Sequence, residues 1–213
     1  MVRFDRQVLK DRLEGVSPRC RMLFSLAVAE RLFPLYQSFF EKTGRGRPNY
    51  LRSTLDHLWE LALRGQTGHK ESFLSDYESL IPAGDLVPRS EVDSHPLSGL
   101  AEFAILALAS ACQCQLLGDS ESAVCAAESG GYAAVDNIAN SLEGMDYGSR
   151  EAEVAILQKD YVQAEIQRQR RDVTELENVA RDGSGIERLV ETFRGRAKSE
   201  GVTLVPVVSA LCK

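Results

Sequence analysis

SPRCRMLFSLAVAERLFPLYQSFFEKTG, residues 17–44, carries apolar side chains at intervals of three and four, the period of an α-helix, rather than the period of two of a strand. Ser17 followed by Pro18 reads as an N-cap with proline at the first helical position, where the missing N–H is one the helix would leave unpaired anyway. The spacing predicts a helix that reaches Lys42 and stops in the loop TGRGRP, Thr43 to Pro48. Pro34 falls inside it. A proline there removes a backbone donor and presses on the carbonyl of Glu30, so a kink is expected that turns Phe33, Tyr36 and Phe40 toward a neighbouring helix at Trp59.

The same period extends outward in both directions. A helix is expected from about Phe4 to Leu13, and another from Asn49 to Arg64 with Leu51, Leu55, Leu58 and Ala62 on one stripe, Trp59 at its edge and Ser53, Asp56, His57, Glu60 and Arg64 opposite. A short helix over Lys70–Leu80 follows. Leu97–Leu117 and Ser120–Leu142 form a pair rich in Ala, Ser and Gly, joined by Gly118-Asp119, with Gly130-Gly131 bending the second. Arg150–Arg181 is highly charged and weakly amphipathic, and so is expected to be exposed along much of its length; Gly185–Glu200 has a stripe at Ile186, Val190, Phe193 and Ala197. The fold class expected is all-α, a single multi-helix bundle of about seven to eight helices with a kinked second helix. One domain would span residues 1–213, with a Pro-rich loop at 82–96 and an apolar C-terminal tail at 202–213 that packs on its own core or on a partner.

At 213 residues, 44% hydrophobic and 26% charged, the chain has the profile of an ordinary globular protein. Its net charge of −6 argues against a dedicated binder of nucleic acid or anionic membranes and suits a basic partner. The five cysteines, Cys20, Cys112, Cys114, Cys125 and Cys212, lie mostly in apolar runs and read as buried thiols in a reducing compartment. MVRFDRQVLKDRLEG at the N-terminus lacks the apolar centre of a signal peptide, so the cytoplasm is the expected location. Leu97–Leu117, the most apolar segment, is interrupted by Ser98, Glu102, Ser110, Gln113 and Gln115 and is expected to be a buried helix rather than a membrane span.

The polar motifs have plain structural readings. GDSES, residues 118–122, matches the serine motif of lipase-like esterases, but it lies between helices and all three histidines (His57, His69, His95) precede it; a capping turn accounts for it. Gly44-Arg45-Gly46-Arg47 lacks the ending of a phosphate loop. His57 with Glu60, the alternating Glu91, Asp93 and His95, and the Cys112/Cys114 pair each have too few companions for a metal. Arg168, Arg170 and Arg171 are surrounded by Glu165, Asp172, Glu175 and Glu177, which weakens a nucleic-acid role. Glu30 and Glu102 lie in apolar surroundings and each should meet an arginine or a tyrosine hydroxyl, as a structural pair or as part of a site. No catalytic constellation, metal site or cofactor site is expected.

AERLFPLYQSFFEKTG (residues 29–44) and LRSTLDHLWELAL (residues 51–63), and more weakly HPLSGLAEFAIL and RLVETFRGRAKSEG, resemble a bacterial all-helical family of unknown function, the YjaG-like domain family. The resemblance spans most of the chain and rests on Glu30, Arg31, Pro34, Tyr36, Asp56, Trp59 and Glu60 in that order and spacing. It implies a single helical domain in the bacterial cytoplasm and no established activity.

These features together point to a non-catalytic protein-binding protein whose partner is a protein. The most specific form is an immunity protein that covers a basic, intracellular-acting toxin domain, with docking steered by opposite charge. The acidic side chains expected to face the partner are Asp85, Glu91 and Asp93 in the Pro-rich loop and Glu165, Asp172 and Glu175 on the charged helix. The alternatives are a housekeeping cytoplasmic protein and a small-ligand or metal-dependent enzyme using the polar face around Glu30, Arg31, Asp56, His57 and Glu60.

Overall fold

The computed structural model describes residues 2–65, 78, 95–143, 150–182 and 185–212. Their regular elements are all helical: α1 (Arg6–Glu14), α2 (Pro18–Thr43), α3 (Pro48–Arg64), α4 (Ser98–Leu117), α5 (Ser120–Cys125), a π-helical segment (Ala126–Tyr132), α6 (Ala133–Glu143), α7 (Arg150–Leu157), α8 (Asp160–Asp182), α9 (Ile186–Val202), α10 (Val205–Ser209) and a closing 3₁₀ turn (Ala210–Cys212). The helix expected over Lys70–Leu80 and nearly all of the Pro-rich loop, including Asp85, Glu91 and Asp93, lie outside the described residues.

The Ser17 hydroxyl accepts the Cys20 N–H at 3.3 Å, Pro18 occupies the first turn, and Gly44 ends α2 in the left-handed conformation. Ser17→Ala should therefore lower stability by about 1 kcal/mol in a denaturant titration. From Met22 to Leu32 every α2 side chain is buried, so this helix is the axis of the bundle and has no solvent face there. α4 packs along it, α9 crosses it, and α3, the π segment and α8 close around it. The helix runs through Pro34 without a break. Phe33 lies under the Arg52 guanidinium of α3, 5.1 Å from its carbon to the ring centre, while the Tyr36 hydroxyl accepts the Arg47 N–H at 2.9 Å in the loop after α2. Gly46, at φ 97°, sits where a Cβ would overlap that hydroxyl, so the GRGR stretch is a docking turn for Tyr36.

α4 is 20 residues long with a mean hydropathy of 1.6, long and apolar enough to cross a bilayer, yet most of that stretch is buried inside the bundle. Close packing of α4 on the π segment depends on small residues, since a Cβ on Gly130 would overlap Ala107. The bend expected at Gly130-Gly131 is thus a π-helical turn, which divides the single helix read over Ser120–Leu142 into α5 and α6.

Two expectations for the charged segment are corrected. Arg150–Arg181 is not one helix: it breaks at Gln158-Lys159, where no Gly or Pro signals the break, and tight turns close on Ala155 and Ile156. Nor is α8 mainly exposed. Val162, Glu165, Ile166, Gln169, Asp172, Val173 and Leu176 are buried at helical spacing, a core-facing stripe whose polar members hid it in the sequence. The apolar tail packs on its own core through Leu204 and Val208. Cys20, Cys112 and Cys114 are buried thiols outside any disulfide, and burial pushes the Cys114 thiol up to about 12; Cys125 is half-buried and Cys212 exposed, so the cysteines are not uniformly interior.

Candidate functional site

Glu30 and Arg31 are adjacent on α2, and the helical turn of about 100° per residue sends them to different neighbours. Arg31 is 1% exposed, as is Glu165, and Asp172 is fully buried. The Arg31 guanidinium donates to Asp172 at 2.7 Å and meets Glu165 at 3.4 Å and Glu200 of α9 at 3.7 Å. Burial alone would lower the Arg31 pKa, but the carboxylates of Glu165 and Asp172 outweigh it and hold the group above its ordinary value.

Around this centre the charges continue outward in matched pairs. Arg196 of α9 donates to Asp172 at 2.8 Å and to both oxygens of Glu175 at 2.8 and 2.9 Å. Arg171 reaches Asp172 at 2.9 Å and Glu200 at 2.8 Å, and Arg168 lies 3.7 Å from Glu165. Gln169 donates to Glu165 at 3.0 Å and to the Ala127 carbonyl of the π segment at 3.2 Å. Gly131 leaves room for these groups, because a Cβ there would overlap the ends of Gln169 and Glu165. The network ties α2, α8, α9 and the π segment together.

On the other side of α2, Glu30 accepts two hydrogen bonds from Arg52 at 2.5 and 2.9 Å and one from the Trp59 indole at 2.8 Å. Arg52 also donates to Asp56 at 2.7 Å, and Asp56 accepts from Arg194 of α9. The expected arginine partner of Glu30 is therefore present, with an indole N–H that was not anticipated. Arg52 itself is held above its ordinary pKa, the Glu30 and Asp56 carboxylates overcoming the lowering effect of burial.

The face expected to gather Glu30, Arg31, Asp56, His57 and Glu60 around one pocket is divided by this geometry. Glu30 and Arg31 are interior and belong to separate networks, while His57 and Glu60 are exposed and Glu60 pairs with Arg64 at 3.6 Å. A shallow depression of about 440 Å³ lies over α3 between Asn49, Arg52, Ser53, Asp56, His57 and Glu60, without Glu30. Among the described residues no group of three or more His, Cys, Asp or Glu side chains is placed to hold a metal ion.

Glu165 and Asp172, read as partner-facing, are instead interior and bound to Arg31, and Glu175 is part-exposed and paired with Arg196. Their isolated sequence context showed a charged helix, whereas the arginines that neutralise them come from α2 and α9. The spacing of Glu165, Gln169 and Asp172, all on one face of α8, was the available signal; Arg52, Gln169, Arg194, Arg196 and Glu200 were not singled out. Asp119 is the cap expected of the GDSES turn, accepting the Ser122 N–H at 2.6 Å. His95 accepts the Leu97 N–H at 3.2 Å where α4 begins, and its ring lies edge-on to Phe39. Arg168 and Arg171 turn toward Glu200, away from Arg170, so the three do not form one basic patch.

The family model described as "Protein of unknown function (DUF416)" matches residues 8–205. The chain is similar to the solved structure of a DUF416 family protein from Shewanella baltica OS155, with a TM-score of 0.76 at 18% identity, covering 88% of this chain and 91% of that one. At that identity the likeness speaks for the fold. No curated protein matches the chain. The expectation of an all-helical family without an assigned activity is met, although neither match carries the YjaG name: with its charged seam buried in a helical bundle, this chain belongs to the DUF416 family of proteins of unknown function.

Proposed function

We propose that the protein is a non-catalytic, cytoplasmic protein-binding module that docks a basic partner through residues 66–94, in its most specific form an immunity protein covering a toxin domain. Charge distribution is the observation that carries this reading. The Arg31 network holds four arginines (Arg31, Arg168, Arg171, Arg196) against four carboxylates (Glu165, Asp172, Glu175, Glu200), and the Glu30 network balances Arg52 and Arg194 against Glu30 and Asp56. Both networks are neutral, so the whole net charge of −6 resides on the other residues. Residues 66–94 alone contain six acidic and two basic side chains, and they include Asp85, Glu91 and Asp93. An acidic segment on a protein whose interior charges are already satisfied favours association with a basic surface and speeds it at low salt.

The test is capture of a basic protein from the native cells by the tagged full chain. Capture should weaken as salt rises from about 0.05 to 0.5 M, as the Debye length shortens, and should be lost in Asp85→Asn/Glu91→Gln/Asp93→Asn. Capture that survives both changes would sink the acidic-segment reading. For the immunity form, deleting the gene should be lethal only while the captured partner's gene is intact.

A further inference from the structure

Between the start of the chain with α1 and the middle of α8 lies a cleft of about 240 Å³, which meets the Arg31 network at Gln169. Its apolar lining is Phe4, Val8 and Leu9 on one side and Ile166 on the other, beside Gln169, with Phe4 held in place by stacking on Tyr132 at 5.1 Å. Val8 stands at this cleft with 51% of its surface exposed.

The charges in the cleft do not cancel. Arg12 is neutralised by Glu177, which accepts two hydrogen bonds at 2.9 Å. Asp5 is the N-cap of α1 and accepts the Val8 N–H at 3.0 Å. Arg3 and Arg170 have no carboxylate within ion-pair distance among the described residues; Arg170 reaches only the Arg3 carbonyl, at 3.5 Å. In a chain with a net charge of −6, two unneutralised arginines therefore share one apolar cleft, and with Asp5 counted the cleft keeps a single positive charge. Its volume is below the roughly 300–1,000 Å³ of pockets for drug-sized ligands, which suits a short acid.

We propose that this cleft binds a small organic monocarboxylate, its carboxylate between Arg3 and Arg170 and its apolar body against Phe4, Val8, Leu9 and Ile166. A guanidinium pair suits a carboxylate because each offers two parallel N–H donors. A single residual positive charge favours a monoanion over a dianion, and the apolar walls favour a branched or aromatic acid over a bare inorganic anion.

The experiment is calorimetric titration of the full chain with 4-methylpentanoate, phenylacetate and, as the bare anion, inorganic phosphate, all at one ionic strength. At least one of the two carboxylates should saturate at millimolar concentration, with phosphate at least tenfold weaker. Arg3→Ala/Arg170→Ala should weaken carboxylate binding at least tenfold, and so should Val8→Trp, which fills the cleft while keeping both arginines. Both variants alter exposed positions, and circular dichroism should show the helical content of the parent. Failure of both carboxylates to saturate, equal binding of phosphate, or unchanged affinity in both variants would each overturn the proposal. Because the titration needs no protein partner, its outcome is independent of whether residues 66–94 dock one.

Discussion

Arg31→Ala should lose about 3–5 kcal/mol of stability, the range found when one member of a buried ion pair is removed and the other is left uncompensated. Here the network is left with one excess negative charge: Glu165, 1% exposed, keeps Arg168 at 3.7 Å, while Asp172 retains Arg171 and Arg196. The variant should show a large drop in urea midpoint with an unchanged slope. Truncating the side chain also opens a cavity between α2, α8 and α9, but the charge effect dominates, and a companion variant separates the two. Arg31→Ala combined with Glu165→Gln keeps the cavity while restoring neutrality, with Arg168, Arg171 and Arg196 against Asp172, Glu175 and Glu200, and it should regain more than half of the loss. Arg31→Lys should fall between, because an ammonium restores the charge without the planar fork that reaches several acceptors at once. If Arg31→Ala stays within about 1 kcal/mol of the parent, the network does not hold the helices together.

Gly201→Val should cost about 2–3 kcal/mol, the upper part of the range for forcing extra volume into a packed contact. A Cβ at Gly201 would lie 2.6 Å from the Arg31 carbonyl oxygen and 3.1 Å from Pro34 Cγ, so α9 meets α2 backbone to backbone at this point. Since the obstacle is main chain rather than the end of a flexible side chain, it cannot be relieved by a rotamer change. The same helix supplies the control. A Cβ at Gly195 would meet nothing within 4 Å, so Gly195→Ala should raise stability by about 0.5–1 kcal/mol through helix propensity alone. Opposite signs for two glycine replacements in one helix, read from thermal or urea unfolding, would locate the crossing; equal signs would remove it.

The same crossing bears on Pro34. Its ring packs beside Gly201 at the point where α9 reaches α2, next to the residue that anchors the buried network. A proline has no N–H to leave unpaired at such a close approach, which gives the residue a packing role in place of a chemical one.

Much of the helical framework could be read directly from the chain. The cap at Ser17, the left-handed glycine stops at Gly44 and Gly118, the cap at Asp119 and the apolar stripe of α3 are all set by residues within a few positions of one another, and local hydrogen bonding and the 3.6-residue period suffice to place them. The need for an arginine beside Glu30 was also legible, because a carboxylate among apolar neighbours must be compensated whatever the fold. Which arginine answers it was not. Arg31 finds Asp172 across 141 positions and Glu165 across 134, and no local rule connects residues so far apart. The polar face of α8 looked like a solvent face because burial of Glu165, Gln169 and Asp172 depends on Arg31 and Arg196 arriving from other helices. The π turn at Ala126–Tyr132 and the break at Gln158-Lys159 likewise belong to packing, the first through the closeness of α4 and the carbonyl taken up by Gln169. The sequence by itself determined the capped helices and the ends set by Ser17, Gly44, Gly118 and Asp119, whose causes are local; the tertiary structure decided the breaks at Ala126–Tyr132 and Gln158-Lys159 and which charges are interior, because those depend on contacts between helices distant along the chain.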